Sequence, residues 1–282
     1  MTGISVFGAG YLGNRISQEL GAELVPRSSV DLLDIKQIRN YLQKHNPQVV
    51  INCAGKTSGP GAIGIDWCEL HKTETIQGNI VAPINLASAC KDLGIYFVHI
   101  GSGCVYAGDN SGKGFSEKDA PNFYGPQFYS MTKIDSERIL QNIGGLILRI
   151  RMPIDDRPHP RNLINKLASY PSVIDIQNSM TTVPDMIRSM KTLIEARATG
   201  IYNVTNPGTI SAAEIMHIYQ QIVDPNHKFD VMTLNQLDAV TLGKRSNCVL
   251  DSSKIENAGA GLPPMHEAVK ECLVRYSKAL KS

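Results

Sequence analysis

Ile4-Ser-Val-Phe7 is a short apolar run of strand-forming residues, and Gly8-Ala-Gly10-Tyr11-Leu12-Gly13 follows it directly, ahead of a helical run from Asn14 to Leu20. Strand, then G-x-G-x-x-G, then helix is the context in which this motif means dinucleotide binding. Gly8 is expected to make the tight turn, Gly10 to let the backbone approach a pyrophosphate, and Gly13 to allow close packing of helix on strand. Tyr11 and Leu12 complete the phosphate-binding loop, and the helix N-terminus faces the phosphates. A chain that begins this way is committed to an α/β fold with a parallel sheet.

Glu23-Leu-Val-Pro26 reads as the second strand. An NAD-specific site usually places an acidic residue at its end, on the ribose 2′-hydroxyl. Here Arg27-Ser28-Ser29 stands at that point, a set suited to a 2′-phosphate, so NADP(H) is expected ahead of NAD(H). Asp31 is expected near the adenine. Asp34 reads as the N-cap of a helix from Ile35 to His45. The run Gln48-Val-Val-Ile-Asn-Cys-Ala54 is apolar on both faces, as a central parallel strand should be. Its end places Asn52, Ala54 and Gly55 where open α/β sheets bind ligands.

A helix is expected from Thr73 to Leu93, with Asn79 inside it able to hydrogen-bond backbone beside the next functional helix. Tyr96-Phe-Val-His-Ile100 is a fourth strand that delivers Ser102 and Cys104 at its carboxyl end. Both are expected to point the same way, because they lie two residues apart. Tyr129-Ser-Met-Thr-Lys133 puts a phenol and an ammonium one helical turn apart on one face. A free phenol titrates near pH ~10, and a neighbouring cation is expected to lower that value. Tyr129 then serves as proton donor to a carbonyl receiving a hydride, with Ser102 as a second hydrogen-bonding group.

Lys/Arg and Asp/Glu are interspersed and the net charge is +2, with no basic stripe of the kind that binds nucleic acid. No apolar stretch approaches the ~20 residues of a membrane span. The six cysteines are scattered with no C-x-x-C pair, which fits reduced thiols in a cytoplasmic protein better than disulfides or a zinc site. No metal-binding constellation stands out.

In the second half, Gly145–Ile150, Ser172–Gln177 and Ile201–Thr205 read as strands, and Asn162–Tyr170, Val183–Thr199, Ala212–Ile222 and Met265–Lys281 as helices. Ser211 and Glu214 have the spacing of a capping box. The expected architecture is a doubly wound parallel Rossmann sheet, residues 1–153 with about 181–206. A smaller C-terminal α/β lobe, about 154–180 with 207–282, binds substrate.

Gly8–Gly13, Ser102, Tyr129 and Lys133, in this order and spacing, resemble the extended short-chain dehydrogenase/reductases. Phe7 stands where most of that family has its first glycine. Longer blocks narrow the resemblance: Asp66-Trp-Cys-Glu69, Ser102-Gly-Cys104, Phe128–Lys133, Leu148–Ile154, Pro160–Lys166, Asp175–Thr181, Gly200–Gly208 and Arg245–Asp251. They look like blocks of the bifunctional 3,5-epimerase/4-reductases of nucleotide-rhamnose synthesis, related to dTDP-4-dehydrorhamnose reductase. The resemblance implies a nucleotide-linked 4-keto-6-deoxyglucose as substrate, with UDP favoured over dTDP. It implies NADPH reduction through Tyr129, with Lys133 on the nicotinamide ribose. It further implies Cys104 and Lys166 as the acid/base pair of the inversion, either one as base, and Asn162, Arg245 and Asn247 as substrate-binding residues. Homodimers are common among such relatives. Two rival readings are a monofunctional 4-reductase and a non-catalytic NADP-binding regulatory protein of the same fold.

Overall fold

The computed structural model describes residues 3–59 and 64–281. In chain order the first elements are β1 (Ile4–Phe7), α1 (Tyr11–Leu20), β2 (Glu23–Val25), α2 (Ile35–His45) and β3 (Val49–Asn52). Next come α3 (Asp66–Leu70), α4 (Lys72–Ile76), a π-helical turn (Gln77–Val81), α5 (Ala82–Asp92), β4 (Tyr96–Ser102), α6 (Phe128–Ile143) and β5 (Leu146–Ile150). The remaining elements are α7 (Leu163–Ser169), β6 (Ser172–Ile174), α8 (Val183–Glu195), β7 (Gly200–Asn203) and α9 (Ala212–Ile222). They are followed by β8 (Asp230–Met232), α10 (Leu234–Val240), α11 (Ser253–Asn257) and α12 (Met265–Ala279).

Six strands form one sheet in the order β2-β1-β3-β4-β5-β7. The pairs β1–β2, β1–β3 and β3–β4 are parallel, with Phe7 opposite both Val25 and Asn52. The chain therefore winds outward in both directions from β1, as expected of a doubly wound sheet. The change of direction falls between β1 and β3, where such sheets take a ligand beyond the strands' carboxyl ends. β1, β3 and β5 are buried along their whole length, which is why they read as continuous apolar runs.

The chain divides into two compact units: residues 1–105, 123–148 and 195–201, and residues 106–122, 149–194 and 202–282. The expected division kept 106–122 and 181–194 with the sheet. By contact density these stretches group with the second unit, because each pairs with its segments: Gly108 with Cys248, Phe115 with Leu250, and Ile154 with Thr182. Such pairings join residues far apart in sequence, and no local pattern announces them.

In the first unit, Phe7, Val25, Ile38, Leu42, Val50, Leu86, Phe97 and Leu140 pack into one core. Asp34 caps α2 as expected, its carboxylate accepting the N–H groups of Lys36 and Gln37. The single helix expected over 73–93 is broken. Pro83 has no N–H to give to the carbonyl four residues earlier, and just before it the ladder widens into the π-helical turn, where Ala82 N–H bonds Gln77 O. Such wide turns are frequent at functional sites.

In the second unit, Ile164, Leu167, Met216, Ile215, Val269, Leu273 and Tyr276 form the core. Ser211 and Glu214 make the expected capping box at α9. A two-stranded parallel pair, β6–β8, and the short α10 were not expected. β8 is only three residues long and largely exposed, so it carries no hydrophobic alternation to read.

Candidate active site

At the end of β1, Gly8 adopts φ +102°, and a Cβ there would lie 2.6 Å from Ala54 N. A Cβ on Gly13 would lie 1.9 Å from Gly8 O, so helix and turn close on each other only through glycine. Gly10 differs: a Cβ there would meet nothing within 4 Å. Gly10 is also the N-cap of α1, with no side chain to cap it, and the first turn of α1 holds no acidic residue. Two glycines shape the loop, and the third leaves clear space at a helix N-terminus, where anions are stabilised. This arrangement fits a dinucleotide pyrophosphate. The glycine lost at position 7 is not missed, because Phe7 ends the strand in the core, edge-on to Tyr41 at 5.4 Å, and the turn is made at Gly8.

Tyr11 and Leu12 occupy the first turn of α1, each partly buried. Arg27 lies two residues beyond β2, and its side chain is 71% exposed and 3.8 Å from the Asp31 carboxylate. Asp31 also accepts the N–H of Leu33. Both charged groups stand at the strand end beside Gly8, whose N–H bonds Val25 O. Ala54 and Gly55 line the end of β3, with Gly55 against the Asn79 amide. Asn52 corrects the expectation of a cofactor contact. Its side chain is fully buried, accepting Ala54 N–H at 3.0 Å and standing 3.0 Å from His99 Nδ1.

Ser102 and Cys104 meet Tyr129 in the first unit. β4 ends at Ser102, and the chain turns there, because Cys104 N–H donates to Ser102 Oγ at 3.1 Å. The two residues are therefore brought together by a turn, not by strand alternation. Ser102 is buried and Cys104 partly exposed. The phenol of Tyr129 is hydrogen-bonded with Ser102.

Electrostatics correct one further expectation. The Tyr129 pKa is raised, first by removal of the phenol from water and then by the charge of Cys104, while the Ser102 hydrogen bond works against both. Lys133 is not among the causes. Its ammonium is aimed elsewhere, at His99 Nε2 (3.3 Å) and Ile100 O (3.5 Å). Burial lowers the Lys133 pKa to about 8, against the opposing pull of Glu137 and Cys104. In this site a buried phenol stays protonated, and a buried amine titrates close to neutrality.

Three groups hold α6 in place, of which the sequence suggests only Asn79. Glu69, in the Asp66–Glu69 block, accepts the N–H of Phe128 at 2.7 Å and so caps the helix carrying Tyr129 and Lys133. Asn79, exposed to view by the π-helical turn yet itself buried, clamps both backbone polar groups of Lys56 (2.7 and 3.0 Å). It also donates to Thr132 Oγ1 at 3.2 Å. This is the backbone contact expected of Asn79. His99 sits in an apolar strand, 2% exposed; its only sequence signal is a polar ring in the middle of Phe-Val-His-Ile.

In the second unit, Lys166 lies on α7, half-buried, with its pKa lowered by desolvation and then by Arg161. Asn162 is the N-cap of that helix. Its side chain is fully buried, accepting the N–H groups of Ile164 and Asp155 and donating to Asp155 O and Arg157 O. That corrects the expectation of a substrate contact, because the amide has no face left for one. Arg245 donates to Gly243 O at 2.7 Å, and Asn247 pairs with Asn178. Beneath them the fully buried Arg151 holds Ser246 by its hydroxyl and its carbonyl, at 2.9 and 3.1 Å.

The model of the family described as the RmlD substrate binding domain matches residues 2–278. The chain belongs to this family. Among RmlD-family relatives, the chain is 37% identical over 252 residues to a bifunctional dTDP-4-dehydrorhamnose 3,5-epimerase/dTDP-4-dehydrorhamnose reductase of Arabidopsis thaliana, covering 87% of this chain and 81% of that one. A trifunctional UDP-glucose 4,6-dehydratase/UDP-4-keto-6-deoxy-D-glucose 3,5-epimerase/UDP-4-keto-L-rhamnose-reductase of the same plant is 36% identical. The match covers 87% of this chain and 37% of that protein, so the chain spans little over a third of it. The crystal structure of the L780 UDP-rhamnose synthase from Acanthamoeba polyphaga mimivirus superposes with a TM-score of 0.90 at 30% identity, covering 97% and 99% of the two chains. The fold is also that of a dTDP-4-dehydrorhamnose reductase from Bacillus anthracis in complex with NADP, with a TM-score of 0.82 at 20% identity over 97% and 99%. Among the described residues no helix is long and apolar enough to cross a membrane.

Proposed function

We propose that this chain converts a nucleotide-linked 4-keto-6-deoxyglucose, with UDP as the nucleotide, to nucleotide-β-L-rhamnose. It inverts C3 and C5 and then reduces C4 with NADPH. The reading rests on one observation: at the end of β4 the Ser102 hydroxyl accepts the backbone N–H of Cys104 and bonds the buried phenol of Tyr129, whose pKa the Cys104 charge raises. The two Arabidopsis relatives, whose names pair a 3,5-epimerase with a 4-reductase, support it.

Both C3–H and C5–H are α to the C4 ketone, so inversion needs removal of each proton to an enolate and its return to the opposite face. Tyr129 and Ser102 hold the C4 oxygen as it gains charge. Cys104 takes one of the two acid/base roles at the α-carbons. A negative charge on its sulfur makes the neighbouring phenol hold its proton more tightly, so Tyr129 stays a hydrogen-bond donor while the enolate exists. Lys166 takes the second acid/base role, on the ground that burial and then Arg161 lower its pKa from the ordinary lysine value.

When bound, NADPH supplies the hydride that reaches C4; the 2′-phosphate is assigned to Arg27, and the pyrophosphate to Gly10 and the N-terminus of α1. Tyr129 then gives its proton to the C4 oxygen. Lys133 binds the nicotinamide ribose, and Arg245 and Asn247 bind the nucleotide diphosphate.

The test is to incubate the purified chain with UDP-4-keto-6-deoxyglucose and NADPH and to identify the product by NMR. UDP-β-L-rhamnose with one NADPH consumed per sugar supports the proposal. Cofactor binding with no sugar turned over would contradict the proposal and leave the monofunctional 4-reductase and the regulatory reading.

A further inference from the structure

Asn52, His99 and Lys133 form a buried row: Asn52 Nδ2 lies 3.0 Å from His99 Nδ1, and His99 Nε2 lies 3.3 Å from Lys133 Nζ. The three residues are 0%, 2% and 7% exposed. The direction of the row is fixed at one end. Asn52 Oδ1 accepts the Ala54 N–H at 3.0 Å, so the amide nitrogen must face the ring. An amide nitrogen only donates, so Nδ1 must accept, and the single proton of a neutral imidazole then sits on Nε2. Burial, and then the charge of Lys133, keep this ring neutral. Lys133 Nζ is thus met by an N–H. An ammonium has no lone pair for that N–H, whereas an amine has one.

We propose that Asn52 and His99 are a positioning pair that presents a donor to Lys133, so that the ring accommodates the amine form of this lysine. The ammonium form keeps Ile100 O, 3.5 Å away, as its acceptor. The other titratable groups near Lys133 are Glu137 on the same helix and Cys104 beyond β4, both favouring the charged form. Tyr129 lies one turn earlier on α6. Lys133 is therefore balanced between carboxylate and thiol on one side and the imidazole N–H on the other. The proposal rests on the reading of Lys133 as part of the reductase machinery.

The test needs neither substrate nor cofactor, so it fails or succeeds apart from the proposed reaction. In protein labelled with 15N-histidine, long-range proton–nitrogen correlation reads the His99 tautomer, assigned by its loss in His99→Gln. The expected result is a protonated Nε2 and a bare Nδ1 from pH 6 to 9; a proton on Nδ1 overturns the proposal without any appeal to a variant. In protein labelled with 13C-lysine, the Cε signal of Lys133 is assigned by its loss in Lys133→Met and followed through its titration. Asn52→Leu, which adds no charge, frees the ring to turn a lone pair toward Lys133. The Lys133 titration midpoint is then expected to rise by about half to one pH unit, the size of one hydrogen bond. An unmoved midpoint in a folded Asn52→Leu overturns the proposal.

Discussion

The carboxylate of Glu69 accepts the backbone N–H of Phe128 at 2.7 Å, across 59 positions of sequence. Phe128 is the first residue of α6, and the preceding Gln127 makes no side-chain cap of its own. A distant acidic residue therefore does the work of an N-cap and favours the positive end of the helix dipole. Because Tyr129 is the next residue, the cap also fixes where the phenol starts.

Removing that cap is expected to cost stability and activity together. Glu69→Ala should lower the unfolding free energy by about 0.5–2 kcal/mol, the usual range for a lost cap. It should also reduce kcat more than it changes the KM for NADPH. Urea denaturation and steady-state kinetics on the same preparation check both.

Much of the first unit was legible because its signals are local. The turn at Gly8, the Asp34 cap and the Tyr129–Lys133 spacing each lie within a few residues, where backbone geometry leaves little choice. Glu69, His99 and the clamp of Asn79 on Lys56 act across 23 to 59 positions, and no periodicity reports a contact of that span. Asn52 and Asn162 show the opposite failure. Their positions suggested a ligand, but both amides are fully buried and bonded within the protein. Polar type at a strand end or helix start does not say which way a side chain faces.

The glycines of the first loop divide into two kinds. Gly13→Ala places a Cβ 1.9 Å from Gly8 O, so α1 must shift, and both melting temperature and NADPH affinity should fall. Gly10→Ala meets nothing within 4 Å, so the melting temperature should be unchanged while NADPH affinity falls at least about tenfold, since a methyl occupies the approach of the pyrophosphate. Thermal melts and fluorescence titration with NADPH separate the two.

Arg27 is exposed, and its nearest carboxylate, Asp31, is 3.8 Å away, which leaves it able to bind a 2′-phosphate. Arg27→Ala should weaken NADPH by about tenfold, the scale of one charge-assisted hydrogen bond, and leave NADH within twofold. Equal losses for both cofactors would assign the arginine elsewhere.

Burial of Lys133 carries a pH signature in stability. Its pKa falls from 10.5 in the open chain to about 8 in the fold. The folded state binds fewer protons between those values, so stability rises with pH across that window and is lowest below pH 8. At ~1.4 kcal/mol per pH unit the penalty near pH 7 is about 3 kcal/mol. Lys133→Met should therefore be more stable than the parent at pH 7, by an amount that shrinks toward zero above about pH 10. The variant should also lose reductase activity. Denaturant unfolding at several pH values reads the difference.

The central claim is that one set of groups at the end of β4 both inverts and reduces. It is tested most directly by incubating the chain with UDP-4-keto-6-deoxyglucose in heavy water, without NADPH, and following C3 and C5 by NMR. Deuterium should enter at both carbons in the parent and in Tyr129→Phe at a reduced rate, and should fail to enter in Cys104→Ser. Added NADPH should then yield UDP-β-L-rhamnose from the parent alone. If the parent incorporates no deuterium and reduces only sugar already inverted at C3 and C5, the inversion is not performed by this chain.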